Sequence, residues 1–401
     1  MTSLRVTQAL IHESFLQALR DQLSRLQTSQ QQVSTGERFS RPAEDPVAAT
    51  QVLSLDSALA ANVQYSRNGQ LARNRLGATE SALIAAGEVL QRVRELAVQS
   101  VSPTSSTETR RLIAAEVRQH LDGILQIANS TDGDGEYLFS GYSVQTRPFG
   151  HDATGDVVYY GDQGQRHRQI GPERFVADAD PGSLVFQMIR TGNGTFTASA
   201  GAGNSGTGVI GARSVVDPSQ FDGDSYSIVF TAADAYEVRD SGNMLVANGT
   251  YATGTTIAFR GVQLEILGAP ATGDSFTVAP SGHEDVFSTI VDFLDALENS
   301  DDSATGRAVF SNVINGVMLD LDQAIGRLIE VRAGVGSRLS AIGAQQSLNS
   351  DMDLQLRTLR SDLKDTDYAE VLTRLNQQMI SLEAAQKSHV RTLGLSLFDY
   401  I

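Results

Sequence analysis

Hydrophobic residues repeat at intervals of three and four positions at both ends of this 401-residue chain. The first repeat runs from Leu16 to Val33, and the second runs from Tyr368 to Leu393. Such alternating intervals form heptad seams, which predict long helices that pair along an apolar stripe. Helices of about 25 residues would each span roughly 38 Å, so the two rods can pair over comparable lengths. The seam residues, which we predict to form an assembly interface, are Leu16, Leu19, Leu23, Leu26, Val33, Tyr368, Leu372, Leu375, Met379, Leu382 and Leu393.

Glycine separates the middle of the chain from both periodic ends. Residues 131–282 contain 24 of the 36 glycines, together with short runs rich in β-branched and aromatic residues such as "YSIVFT" and "TTIAFRGVQLEILG". These features predict an α+β fold in which long N- and C-terminal helices pack together as a helical bundle around an inserted β-rich domain. The predicted segments are 1–45 and 365–401 (terminal coiled-coil segments), 46–140 and 283–364 (the two halves of a helical domain) and 141–282 (the β-rich domain).

A polar segment, "STGERFSRPAEDPVAAT", interrupts the N-terminal helices and is predicted to be a hinge. Gly36 can take the left-handed conformation that ends a helix, and Pro42 disfavours helical geometry at the residue before it. Asp45 is placed as an N-cap, with Pro46 at the first helical position of a helix over 46–100. Further helices are predicted after a capping box at Ser105 and Glu108, and over 284–299 and 304–362. The charges of the hinge need no catalytic role.

The composition excludes or disfavours several classes of protein. A net charge of −16 with only two lysines disfavours nucleic-acid binding, which depends on a basic face. The absence of cysteine excludes disulfides, thiolate metal sites and a cysteine nucleophile. The chain has no run of eighteen apolar residues and no apolar run typical of a cleaved signal peptide, so we expect no membrane insertion and, if the protein leaves the cell, export by another route.

None of the short motifs predicts a catalytic, cofactor or metal site. Overlapping G-x-G-x-x-G patterns between Gly201 and Gly211 lie in a glycine-rich stretch that opens no helix, so they are interpreted as a loop of the β-rich domain. The stretch "DGDGEY" at 132–137 fails the calcium-loop pattern and is interpreted as a turn. The six histidines form no compact ligand pair.

Two interpretations of the terminal seams remain open at this point. A heptad stripe is most often part of a core within one chain. However, two rods at opposite chain ends have little else to cover them, and an isolated helical pair is marginal in water. The position of the seams therefore favours burial against other subunits.

The two chain ends resemble those of bacterial flagellin-like axial proteins. The resemblance lies in "LRVTQALIHESFLQALRDQLSRLQTSQQQVSTGERFSRPAEDPVAATQVLSL" and "DTDYAEVLTRLNQQMISLEAAQKSHVRTLGLSLFDYI" and covers roughly the first 140 and last 115 residues. Within that group, Pro46, "GEYLFSGY" and the terminal "GLSLFDYI" are similar to the hook–filament junction family, hook-associated protein type three. Residues 1–3 precede the usual start of that family, so the true first residue stays open.

The resemblance implies a non-enzymatic structural subunit of the flagellum, without cofactors. Its implied partners are further copies of itself, hook-associated protein type one, flagellin, a flagellar export chaperone that binds the C-terminal region, and the flagellar type III export apparatus. The implied location is the extracellular hook–filament junction, reached without a cleaved signal peptide. The terminal segments would form an inner tube and the adjacent helices an outer tube, with the hinge linking them.

Two other functions remain as alternatives. One is a flagellin-type filament subunit, which shares the same ends. The other is a surface adhesin or enzyme whose activity resides in the central domain, since that domain is rich in aromatic and acidic residues.

Overall fold

The computed structural model describes the backbone of residues 2–394 and the side chains of Leu10 and of residues 12–391. Seven helices occupy both flanks of the described chain and one short segment of its middle. They are α1 (Thr2–Thr35), α2 (Pro46–Ser100), α3 (Thr107–Ala128), α4 (Gly182–Phe186), α5 (Val286–Glu298), α6 (Ala304–Lys364) and α7 (Tyr368–Gly394).

The strands all lie between residues 149 and 284, where the sequence predicts the β-rich insertion. They are β1 (Phe149–His151), β2 (Val157–Tyr159), β3 (His167–Gly171), β4 (Arg174–Ala177), β5 (Ile189–Arg190), β6 (Phe196–Ala200), β7 (Val209–Val215), β8 (Tyr226–Ala232), β9 (Ala235–Arg239), β10 (Leu245–Thr250), β11 (Thr256–Phe259), β12 (Val262–Leu267), β13 (Ser275–Pro280) and β14 (His283–Glu284). The predicted α+β class, with long terminal helices around a β-rich insertion, is therefore confirmed.

The chain folds as two compact units. One unit comprises residues 1–67 and 346–401, and the other comprises residues 68–345. Because α2 and α6 each contribute residues to both units, the units do not coincide with the predicted segments 1–45, 46–140, 141–282, 283–364 and 365–401. Those segments describe roles in an assembly and stay a prediction.

The terminal unit contains α1, α7, the first part of α2 and the last part of α6. The parts of α2 and α6 run antiparallel, since Asn62 Nδ2 donates a hydrogen bond to the carbonyl oxygen of Asn349 at 2.7 Å and Arg360 pairs with Asp56 at 2.6 Å. Asn62 and Asn349 are both buried. A polar contact thus fixes the register of these two helices.

The second unit has two hydrophobic cores. The first is formed mainly by α2, α3, α5 and α6, and it also takes in side chains from the first part of the insertion, such as Phe149, Val176 and Phe186. The second lies within residues 196–278, where a five-stranded antiparallel sheet (β10-β9-β8-β13-β6) and a three-stranded one (β11-β12-β7) bury their inner faces together. Burial alternates along β8 and β12, as expected for strands with one face in a core.

Candidate functional site

Helices α1 and α7 form an antiparallel pair, which we call the terminal pair. At one end the ring of Phe15 stacks on that of His389, with ring centroids 3.8 Å apart. Toward the other end Arg374 donates a hydrogen bond to Gln32 Oε1 at 3.3 Å. The two helices therefore lie side by side from Phe15 and His389 to Gln32 and Arg374.

The terminal pair is joined along one stripe on each helix. Positions that lie toward the partner helix recur at intervals of four and three, and Ser29 and Val371 are the fully buried ones. The predicted seam residues Leu19, Leu26, Val33, Leu375 and Leu382 belong to these stripes and are half-buried. The complete stripes are Phe15, Leu19, Gln22, Leu26, Ser29 and Val33 on α1, and Val371, Leu375, Gln378, Leu382, Ala385 and His389 on α7.

The other predicted seam residues lie on one side of the terminal pair. At 100° per residue, they are rotated by about 60–100° from the facing stripes, toward the same side of both antiparallel helices. Leu23, Tyr368, Leu372 and Met379 remain 44–52% exposed, and Leu16 is half-buried. We call Leu16, Leu23, Tyr368, Leu372 and Met379 the apolar flank. The side chain of Leu393 lies outside the described residues, as do Met1 and residues 395–401.

The opposite side of the terminal pair is polar. It holds an open groove of about 480 Å³ between the two helices. Two arginines, one from each helix, line this groove together with an aspartate, three glutamines and a serine. The lining residues are Ala18, Asp21, Gln22, Arg25, Arg374, Gln377, Gln378 and Ser381. The terminal pair thus has two chemically different sides, and only one of them gains free energy by leaving water.

The chain crosses from α1 to α2 and from α6 to α7 at one place, which we call the joint (residues 36–45 and 365–367). Gly36 has φ +74°, the left-handed conformation expected from the sequence. Two backbone hydrogen bonds tie the crossings together, from Arg38 N to Lys364 O at 2.7 Å and from Thr366 N to Gly36 O at 2.8 Å. They make Glu37 and Asp365 an antiparallel bridge pair. The predicted hinge is therefore bonded to a second crossing about 330 residues further along the chain.

Side-chain contacts also stabilise the joint. Asp45 caps α2 by accepting a hydrogen bond from Ala48 N at 3.0 Å and pairs with Arg38 at 3.0 Å, and Pro46 is the first residue of α2. Pro42 lies in the exposed turn between the two helices. Beneath them Phe39 is 8% exposed in a small core with Ala48, Val52 and Leu363. Phe39 was not predicted as a core residue; an isolated aromatic residue in an otherwise polar segment is the signal that could have found it.

The short motifs have structural roles, as interpreted from the sequence. The glycine-rich stretch 201–211 connects β6 to β7 and opens no helix. It folds around the buried carboxylate of Asp274, which accepts hydrogen bonds from Ser205 N and Gly206 N at 2.8 and 3.0 Å. Residues 132–137 form a turn in which Asp132 accepts hydrogen bonds from Asp134 N and Glu136 N.

Ion pairs near that turn bury several charged side chains that no sequence motif indicated. Arg75, 3% exposed, pairs with Asp132 at 2.5 Å and with Glu136 at 3.2 Å, and burial lowers its pKa. Asp178 is fully buried and pairs with Arg166 at 3.0 Å and with Arg168. The signs balance within this cluster, which ties α2 to the turn and to β3 and β4.

The described residues offer neither a metal site nor a membrane-spanning helix. No group of three or more His, Cys, Asp or Glu side chains there could hold a metal ion. Among the helices that the structure describes, none is long and apolar enough to cross a membrane.

Comparisons with known proteins agree with this arrangement. The family described as "Bacterial flagellin N-terminal helical region" matches residues 7–144, and the one described as "Flagellar hook-associated protein 1, D2-like domain" matches residues 199–280, the region of the second core. Flagellar hook-associated protein 3 of Salmonella typhimurium is 24% identical over 99% of both chains.

Solved structures of two FlgL proteins are also similar to this chain. The crystal structure of FlgL from Xanthomonas campestris is 44% identical and has a TM-score of 0.73, covering 77% of this chain and 99% of the other. The flagellar junction protein FlgL from Legionella pneumophila is 28% identical, with a TM-score of 0.72, and covers 79% of this chain and 100% of the other.

Long paired ends, a β-rich insertion and a flagellin-type N-terminal region define this chain as a flagellin-like structural protein of the bacterial flagellum. The model of the flagellin N-terminal region matches only residues 7–144, whereas the match to hook-associated protein 3 extends over 99% of the chain, so a filament subunit is not favoured. The chain belongs to the flagellar hook-associated protein 3 family, also called FlgL.

Proposed function

We propose that this chain is the subunit of the hook–filament junction that connects hook-associated protein type one to flagellin. In this proposal each copy contacts a neighbouring copy through the apolar flank of its terminal pair, and the terminal pairs form the inner tube of the junction. One observation carries the proposal: in a chain of this family, the terminal pair leaves the four large apolar side chains of Leu23, Tyr368, Leu372 and Met379 about half exposed together on one side. Contiguous exposed apolar surface of this kind is typical of protein interfaces.

The proposal extends to the route and to the other partners. The subunit leaves the cell through the flagellar type III export apparatus, escorted by a chaperone on its C-terminal region, without a cleaved signal peptide, and acts outside the cell without enzymatic activity. A chain without cysteine can pass between reducing and oxidising compartments without mispaired disulfides, which supports this route. The joint links the inner tube to the helices of α2 and α6, which belong to the outer tube.

The test is a pair of charges placed on the apolar flank. The double variant Leu372→Asp with Met379→Asp is expected to be secreted in normal amounts but to leave filaments detached, because an unpaired charge in a buried interface costs several kcal/mol. The matched control, Gln377→Asp with Ser381→Asp, puts the same charges on the polar side of the same helix and is expected to hold filaments.

Three measurements decide the outcome: secreted subunit in the medium, filaments on cells, and shed filaments in the medium. Measuring secretion separately excludes a defect in chaperone binding or export. Normal filament attachment by the flank variant, or equal loss by both variants, would contradict the proposal.

A further inference from the structure

A second exposed apolar stripe lies in the terminal unit, on α6. Leu348, Met352 and Leu359 are 58%, 49% and 45% exposed and follow one another at intervals of four and seven residues, which places them on one side of the helix. The face of α6 that is turned toward α2 includes Asn349 and Arg360, which lie about 80–100° around the helix from this stripe. We call Leu348, Met352 and Leu359 the α6 stripe.

The spacing of the α6 stripe indicates which kind of surface can pack against it. Apolar residues at heptad intervals fit between the side chains of another helix with the same intervals. Tyr368, Leu372 and Met379 on the apolar flank are also spaced by four and seven residues, and each of the two stripes is roughly 16 Å long. Both are exposed in the single chain, so each is available to a second copy.

The charges beside the two stripes are complementary. Exposed Arg20 lies next to Leu16 and Leu23 of the apolar flank, whereas exposed Asp351 and Asp362 lie beside the α6 stripe. Among the described residues none of these three has an ion-pair partner within its own chain. The terminal unit also has 12 Lys and Arg against 14 Asp and Glu, so it carries only −2 of the net charge of −16. Weak net repulsion allows close approach of these units.

We propose that the α6 stripe of one copy packs against the apolar flank of the terminal pair of a second copy. The inference rests on the proposed function and deepens it, because it names the surface that receives the apolar flank. Since the two surfaces are different, the contact is head-to-tail and generates a ring or a helix of subunits rather than an isolated dimer.

Cysteine cross-linking tests this contact, since the natural chain contains no cysteine. Copies with Met352→Cys and copies with Leu372→Cys are produced together in cells that lack the unaltered protein, and isolated flagella are treated with a short bismaleimide. Cross-linked dimers are expected from the mixture and from neither variant alone. The control mixture replaces Met352→Cys by Leu354→Cys, because Leu354 is 68% exposed on another side of the same helix. It is expected to give at least tenfold fewer dimers.

Failure of this contact and failure of the junction role are distinguishable. Filaments that remain attached while the Met352 mixture gives no more dimers than the Leu354 mixture would overturn the contact and leave the junction role intact. Absence of the unaltered chain from the junction would overturn the junction role. In that case the same two mixtures of purified chains, cross-linked at high protein concentration, decide the contact by the same comparison.

Discussion

At the scale of single residues, Glu284 in the second unit is a carboxyl group with a strongly raised pKa. It ends β14, directly before the residue that caps α5. Burial and, after it, the neighbouring carboxylates of Asp320, Asp292 and Asp285 together raise its pKa to about 7. Burial also raises the pKa values of Asp320 and Asp292. Between about pH 4.5 and pH 7, the folded chain therefore holds a proton on Glu284 that the unfolded chain releases.

We predict that Glu284→Gln stabilises the second unit in a pH-dependent way. Below about pH 4.5 Glu284 is protonated in both states and the substitution changes little. As the pH rises to about 7 only the unfolded state loses the proton, so the penalty on folding grows and stays constant above that pH. Discounted for solvent contact of this half-buried group, the gain at pH 8 should be about 1 kcal/mol.

Chemical denaturation at pH 8 and at pH 4.5 measures this difference. Glu88→Gln, which removes an exposed carboxylate from α2, serves as the control and should leave the free energy of unfolding unchanged at both values. A Glu284→Gln variant no more stable than the natural chain at pH 8 would contradict the prediction. It would show that ionising this carboxyl group does not lower the free energy of unfolding.

Gly36 is the residue on which the geometry of the joint depends most directly. A side chain there would have to adopt φ +74°, and its Cβ would lie 2.8 Å from the hydroxyl of Tyr368. We predict that Gly36→Ala weakens the joint by about 1–2 kcal/mol, mainly through the left-handed backbone. Amide hydrogen exchange should then quicken at Arg38 and Thr366. The additional substitution Tyr368→Phe removes the hydroxyl, and it should leave most of the effect in place if backbone strain is the cause.

At the scale of helices, the two stripes of α7 should respond differently to the same substitution. Leu375 and Leu382 face α1, whereas Leu372 and Met379 lie on the apolar flank. In the monomer, Leu375→Asp with Leu382→Asp should reduce helical circular dichroism and the melting temperature of the terminal unit, because the charges enter the contact with α1. The flank variant Leu372→Asp with Met379→Asp should melt like the natural chain. Equal melting of both variants would mean that the terminal pair is not formed in the monomer.

The heptad pattern predicts both terminal helices well but not which residues join them. Leu16, Leu23, Leu372 and Met379 continue the pattern, yet they lie on the flank because the apolar face is wider than one contact stripe. The position of one helix cap also differs from the prediction by one residue. The sequence predicted a cap at Ser105 with Glu108, whereas α3 begins after Ser106, which accepts a hydrogen bond from Thr109 N. Phe39 could not be placed, since its partner Leu363 is distant in sequence.

At the scale of the whole molecule, the β-rich insertion has two parts that composition does not distinguish. Ile170, Val176 and Phe186 come from the insertion but lie in the core formed by the helices. Residues 196–278 contain the second core, with Phe230, Leu264 and Phe276 fully buried. Both parts are rich in glycine and short strands, so the sequence predicted one domain over 141–282. Which core a strand joins depends on contacts with distant helices.

This division predicts where the insertion can be removed. Strands β5 and β14 pair, with Arg190 opposite His283, and Thr191 N donates a hydrogen bond to Gly282 O at 3.3 Å. The two ends of the second part are therefore adjacent, about 5 Å apart, and a short Gly/Ser linker can replace residues 193–281. The shortened chain should keep its helical circular dichroism, unfold cooperatively and still join the junction.

The matched control replaces residues 150–281 with the same linker. It removes Ile170, Val176, Val185 and Phe186 from the core of the helical part, and losing several large buried side chains at 2–5 kcal/mol each exceeds the stability of a typical domain. We therefore expect this longer deletion to be insoluble or degraded. Solubility, circular dichroism and thermal unfolding of the two proteins decide the matter. If the shorter deletion also fails to fold, residues 193–281 are integral to the helical core; if both fold equally well, the first part of the insertion contributes nothing to that core.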